Sequence, residues 1–234
     1  MMISGLQKVT LLDYPGHIAA TIFLGHCNLR CPFCHNMELV VTPEHFPKFE
    51  INDIIDFLKG KIGKLNGVAI TGGEPLLNND IRNLLIPIKD LGYPIKLDTN
   101  GFFPDMIEEL IKEKLVDKFA MDIKAGLVNY AKVSGLNVFD DSMKESIKKS
   151  ISLLMNDAVD YEFRTTCVKW LHTEEDFYEI KDMIKGANNY YLQNYKAAPG
   201  MENLPYKPFE KGELLKFADI VRSNVKNIEL RGVD

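Results

Sequence analysis

Three cysteines fall within eight residues, Cys27, Cys31 and Cys34, and a fourth, Cys167, stands far away in sequence. Thiolates this close on one short stretch can hold three corners of a metal cluster. Iron–sulfur cubanes normally take four cysteines, so three local ligands leave one iron open to a small molecule, as a catalytic metal keeps an open position. Zinc is a competing reading, and it needs a fourth ligand. His26 and His35 adjoin cysteines of the set, where closing on the same ion is awkward. Cys167 closes a site only if the fold brings it there; on its own it reads as a small buried strand residue. Redox or structural thiols are the third reading.

Other groups able to do chemistry recur along the chain. They are Gly72-Gly73-Glu74-Pro75, Asp98-Thr99-Asn100-Gly101, Asp122-Ile123-Lys124, Arg164 with Thr165 and Thr166, Gln193-Asn194, and Glu229 with Arg231. Each sits at the end of a β-branched or aromatic run. Those runs read as strands over Ile18–Leu24, Val68–Thr71, Ile95–Asp98, Phe119–Ile123, Tyr161–Thr166, Tyr190–Tyr195 and Ile228–Leu230. Helical periods lie between them. Ile51, Ile54, Ile55, Leu58, Ile62 and Leu65 share one face, and Met106–Leu115, Glu174–Ile184 and Gly212–Val221 follow suit. Ser142 to Glu145 reads as a capping box opening a helix through Met155. Ile81–Leu91 is helical by pattern, with Pro87 expected to kink or end it.

Strand–helix alternation predicts a parallel sheet with right-handed crossovers, either doubly wound or rolled into an open or closed barrel. The polar groups then collect at the C-terminal ends of the strands, where such folds place active sites. That repetition points to an enzyme. Ala197–Pro208, with three prolines and a glycine, is expected to be a loop.

Composition sets the outer bounds. The chain has 234 residues, 46% hydrophobic and 26% charged, with net charge −5. This is ordinary globular composition, and a single domain over residues 1–234 is expected. A mildly acidic surface argues against nucleic acid and anionic membranes as partners. The sequence shows neither a basic-then-apolar leader nor a membrane-length apolar stretch, so the expected location is the cytoplasm.

Cys27-Asn28-Leu29-Arg30-Cys31-Pro32-Phe33-Cys34-His35-Asn36 resembles the signature of radical S-adenosylmethionine enzymes. Gly72-Gly73-Glu74-Pro75 strengthens the resemblance. Asp98 to Gly101, Asp122 to Lys124 and Leu12-Asp13-Tyr14-Pro15-Gly16 resemble the glycyl-radical activating branch, with the anaerobic ribonucleoside-triphosphate reductase activating proteins of the pyruvate formate-lyase activating type as the most similar group. The resemblance implies a partial, open (β/α)6 barrel and a [4Fe–4S] cluster on Cys27, Cys31 and Cys34. S-adenosylmethionine would chelate the fourth iron, and one electron would release a 5′-deoxyadenosyl radical that abstracts a hydrogen atom.

Under that resemblance each remaining residue takes an expected role. Gly72 and Gly73 let backbone approach a ligand, and with Glu74 they face the methionine ammonium. Phe33 packs near the adenine. Asn100 offers a donor and an acceptor to ribose or carboxylate oxygens. Lys124 neutralises the methionine carboxylate or a partner's backbone oxygen. Arg164 is a carboxylate clamp or a structural ion pair. Asp98 and Asp122, with Thr99, either coordinate a monovalent cation or accept hydrogen bonds and pair with Lys124. His35 and Asn36 order the loop.

With three cysteines used, Cys167 alone cannot build an auxiliary cluster. An open barrel suits a macromolecular substrate, namely a glycine of a glycyl-radical enzyme such as anaerobic ribonucleotide reductase, with flavodoxin or ferredoxin as electron donor. The alternatives are activation of pyruvate formate-lyase or another glycyl-radical enzyme, and small-molecule chemistry of the kind 7-carboxy-7-deazaguanine synthases perform. A non-catalytic, zinc-stabilised binding module is the remote one.

Overall fold

In the computed structural model, which describes residues 1–156, 158–197 and 201–233, strands and helices alternate as the sequence pattern predicts. The chain runs β1 (Ile3–Thr10), β2 (Ala19–Leu24), α1 (Met37–Val41), α2 (Ile51–Lys59), β3 (Gly67–Gly72) and α3 (Arg82–Asp90). It continues through β4 (Ile95–Thr99), α4 (Pro104–Lys112), β5 (Lys118–Asp122), α5 (Tyr130–Ser134), α6 (Asp141–Met155) and β6 (Asp160–Cys167). It ends with α7 (Glu174–Met183), β7 (Asn189–Asn194), α8 (Lys211–Arg222) and β8 (Asn227–Arg231).

The strands form one eight-stranded sheet whose spatial order is the chain order. β1 is antiparallel to β2, and β2 through β8 are parallel throughout. A doubly wound sheet would reverse its order partway. Sequential order with crossovers of one hand instead lays every helix on one face and leaves the other face to line an interior. β1 and β8 do not pair with each other, so the barrel is open.

Strand alternation divides the residues between the two faces. Ile95 and Leu97 of β4, Phe119 and Met121 of β5, and Tyr161 and Phe163 of β6 enter the apolar core under the helices. Their neighbours Lys96, Asp98, Asp122, Glu162 and Arg164 face the interior and pair there. Arg231 of β8 reaches Glu162 at 3.1 Å while its guanidinium lies 3.4 Å above the Tyr191 ring. A buried charge needs such a partner.

Several expectations are corrected. β1 is a strand the pattern did not reveal. α2 stops at Lys59, and Ile62 beyond it is exposed. α3 continues through Pro87 to Asp90, held by buried Leu84, Leu85 and Ile88. The cap of α6 is Asp140, whose carboxylate accepts from the Met143 amide at 2.9 Å; Ser142 lies inside the first turn. Ala198, Pro199 and Gly200 of the expected loop lie outside the described residues, and Met201–Pro208 is irregular apart from a bridge between Lys169 and Lys207. Among the described residues no helix is long and apolar enough to cross a membrane.

Candidate active site

The cysteine loop joins β2 to α1 at the C-terminal rim. It is folded mainly on its own backbone. Arg30 Nη1 donates to the carbonyls of Cys27 and Leu29, each at 2.7 Å, and the Cys34 amide donates to the Cys31 carbonyl at 3.0 Å. The Leu29 amide points at Cys27 Sγ, 3.4 Å away. All three thiols are free, with Cys31 buried and the other two half-buried.

The turn after β3 clasps this loop. Gly72 has φ +114°, and a Cβ there would lie 2.4 Å from the Leu24 carbonyl oxygen. The Gly73 and Glu74 amides donate to the carbonyls of Leu24 and His26 at 2.7 and 2.8 Å. Asn36 Nδ2 donates to the Gly72 carbonyl at 2.8 Å, the loop-ordering role expected of it. The glycines therefore admit the neighbouring backbone itself, a close approach within the protein where the sequence suggested one to a ligand.

Glu74 belongs to the same clasp. Its carboxylate is buried and accepts from the Asn100 amide at 2.7 Å, the Thr99 hydroxyl at 2.8 Å and the Leu76 amide at 3.0 Å. It ties the β3 and β4 rims together. Asn100 is similarly committed. Nδ2 donates to Asn28 Oδ1 at 2.7 Å, and Oδ1 accepts from the Phe102 amide at 3.2 Å.

The acidic residues take a different arrangement from a cation cage. Arg164 donates Nε to Asp122 at 2.8 Å and Nη1 to Asp98 at 3.3 Å. Lys96 holds the other oxygen of Asp98, and Lys124 that of Asp122 at 3.0 Å. Thr99 turns to Glu74. A guanidinium thus stands between the two carboxylates, and of the two readings of this pair the structure shows hydrogen bonding with Asp122 paired to Lys124, while Arg164 makes an ion pair with both.

Phe33 is buried, edge-on to His172 and Tyr195 with centroids 6.4 and 6.5 Å away. His172, unremarked in the sequence, donates Nε2–H to the Lys124 carbonyl at 2.7 Å and accepts the Val168 amide on Nδ1 at 3.1 Å. Thr71, also unremarked, donates to Asp98 at 3.1 Å. Cys167 is fully buried on the helix side of β6, so it closes no site. Asn194 binds the Phe209 backbone with both ends of its amide.

One cleft, open at its mouth, gathers the remaining groups. Cys27, Cys31, Phe33 and Cys34 form one wall, and Gly72, Gly73 and Glu74 the next. Asp98, Thr99, Asn100, Asp122, Lys124 and Arg164 complete it. These are the residues the sequence singled out from five separate strand ends.

The profile of the Radical SAM superfamily matches residues 21–184, from β2 through α7. The chain belongs to that superfamily. It is 33% identical, over all of its length and 97% of the relative's, to a Methanocaldococcus jannaschii protein provisionally named a glycyl-radical enzyme activating enzyme. It is 29% identical to a Pyrococcus horikoshii protein named, with similar reserve, a GTP 3′,8-cyclase, across 79% of this chain but only 60% of that protein. A radical SAM methyltransferase from Sphaerobacter thermophilus superposes with TM-score 0.69 at 14% identity, covering 93% of this chain and 67% of the other. Streptococcus suis SuiB bound to S-adenosylmethionine gives 0.65 at 18% identity, covering 91% and 52%.

Radical SAM enzymes are oxidoreductases that use a [4Fe–4S] cluster and S-adenosylmethionine. The donor set here fits the cluster. Three free thiols line one cleft. Among the described residues no three Cys, His, Asp or Glu side chains converge as the ligands of a single ion would. A cubane asks instead that each thiolate reach a different iron. Burial pushes Cys27 up to about 11 and raises Cys31 as well, so both remain thiols until a metal centre binds. Burial opposes charge on Asp122 too, but Arg164 and Lys124 outweigh it and hold Asp122 at about 2.

Proposed function

We propose that this radical SAM enzyme installs a glycyl radical on a partner protein, with anaerobic ribonucleoside-triphosphate reductase as its client. The observation that carries the reading is a cysteine-walled cleft in a barrel whose first and last strands do not pair. The open seam gives a polypeptide loop a route to the cleft. The end-to-end similarity to the Methanocaldococcus relative favours the same class.

Cys27, Cys31 and Cys34 would hold the cluster, and its open iron the methionine amine and carboxylate. When bound, the cluster supplies the electron that opens the sulfonium C–S bond, yielding the adenosyl radical that takes a glycine Cα hydrogen. The protein's part is positioning. Lys124, held above its ordinary pKa by Asp122 despite burial, keeps a fixed positive charge for a carboxylate. Phe33 supplies an apolar wall for the adenine. His172 and Asn100 fix the Lys124 backbone and the cysteine loop. A flavodoxin or ferredoxin would supply the electron.

The test is low-temperature electron paramagnetic resonance on an anaerobic mixture of reconstituted enzyme, S-adenosylmethionine, reductant and the reductase from the same source. A glycyl-radical doublet is expected. Accumulating 5′-deoxyadenosine without a doublet would reject this client and favour another glycyl-radical enzyme or a small-molecule substrate.

A further inference from the structure

α5 is five residues long, yet it meets the cysteine loop at three independent points. The Arg30 amide donates to the Ser134 carbonyl at 3.0 Å. Gly135 closes the helix at φ +69°, where a Cβ would lie 1.9 Å from the Arg30 carbonyl oxygen. Val133 shares a buried cluster with Leu29, Cys31 and Phe33. Arg30 immediately precedes Cys31, so the helix end sets the peptide on which the middle cysteine hangs.

Tyr130 opens the same helix. It is fully buried and stacked on Phe139, with centroids 4.6 Å apart at 12°. The stack holds the start of α5 against Phe139, in the stretch just before α6.

We propose that α5 is the seat of the middle cysteine: Gly135 admits the Arg30 carbonyl and the Ser134 carbonyl holds the Arg30 amide, so the helix end fixes the peptide that carries Cys31. Gly135 and Val133 are positioning residues. The inference rests on the iron–sulfur reading of the loop and goes beyond it, because it assigns the loop's support.

Two variants test it in the anaerobically reconstituted protein, each beside the wild type. Val133→Ala keeps the helix but loosens its packing on Leu29 and Cys31. It should speed alkylation of Cys31 in the metal-free protein, and unchanged alkylation overturns the helix's support of the loop. Gly135→Ala should leave the far-ultraviolet circular dichroism intact, lower iron per chain several-fold, and speed alkylation of Cys31 in the metal-free protein several-fold. Full iron and unchanged alkylation overturn the seat. A wild type that takes up no cluster refutes the underlying reading, whereas metal-free alkylation of Cys31 still judges the seat.

Discussion

A Cβ on Gly73 would lie 1.7 Å from the carbonyl oxygen of His26. Both sides of that contact are backbone, and His26 is itself at φ +65° beside the first cysteine. Neither strand end can yield without moving the cysteine loop. Gly73→Ala is expected to cost about 1–3 kcal/mol, the usual range for forced overpacking. Chemical denaturation should report the loss, and iron analysis after reconstitution should show reduced cluster loading. Wild-type loading would mean the clasp does not position the loop.

Arg164 is 11% exposed between two carboxylates of adjacent strands. Removing one member of a buried charge network leaves the others uncompensated, so Arg164→Leu should destabilise by about 3–5 kcal/mol. Acid should act on the same network. Asp122 is held at about 2, below its ordinary 3.8, so its stabilisation is complete above pH 4 and is lost as pH falls toward 2. The wild type should show this loss in denaturant midpoints, and Arg164→Leu should show much less of it.

Glu74 titrates in the opposite sense. Burial pushes it from 4.5 up to about 7, despite three donated hydrogen bonds. The folded state therefore holds a proton that the unfolded chain has released, and stability falls as pH rises from 4.5 through 7. That span is worth on the order of 3 kcal/mol. Glu74→Gln should flatten the decline in a pH series of unfolding midpoints. An unchanged slope would show that Glu74 stays ionised throughout.

Asp13 lies at the far end of the barrel from the cleft, in the connection between β1 and β2. Its carboxylate accepts from the buried Thr21 hydroxyl at 2.6 Å. Asp13→Ala leaves that hydroxyl unsatisfied, a loss of about 1–3 kcal/mol. Because this end is remote from the cysteines, the variant should cleave S-adenosylmethionine at the wild-type rate below its unfolding temperature. A large loss of rate in folded protein would contradict a structural role for the Leu12–Gly16 segment.

The strand ends were legible because chemistry-bearing residues follow β-branched runs at Gly72, Asp98, Asp122 and Arg164. Parallel strand order made them neighbours. What each side chain touches was not legible. Glu74 and Asn100 carry atoms suited to a ligand, and the sequence gives no sign that adjacent rims also bond to them. Lys96, Thr71 and His172 resemble ordinary strand and loop residues, and only the register of β3, β4 and β6 brings them to the site. α1 and α5 span five residues each, too short to show a helical period. β1 escaped notice because Gly5 and Lys8 interrupt its alternation and Gln7, Lys8 and Val9 are exposed.

The central claim is that Cys27, Cys31 and Cys34 form the cluster site of a radical SAM enzyme. It is tested most directly by 5′-deoxyadenosine release from S-adenosylmethionine, measured in anaerobic reconstituted protein with excess reductant. The wild type should release 5′-deoxyadenosine and methionine together, and Cys31→Ala should release neither. Continued release from the folded Cys31→Ala protein, or none from a wild type with a full cluster, would contradict the account.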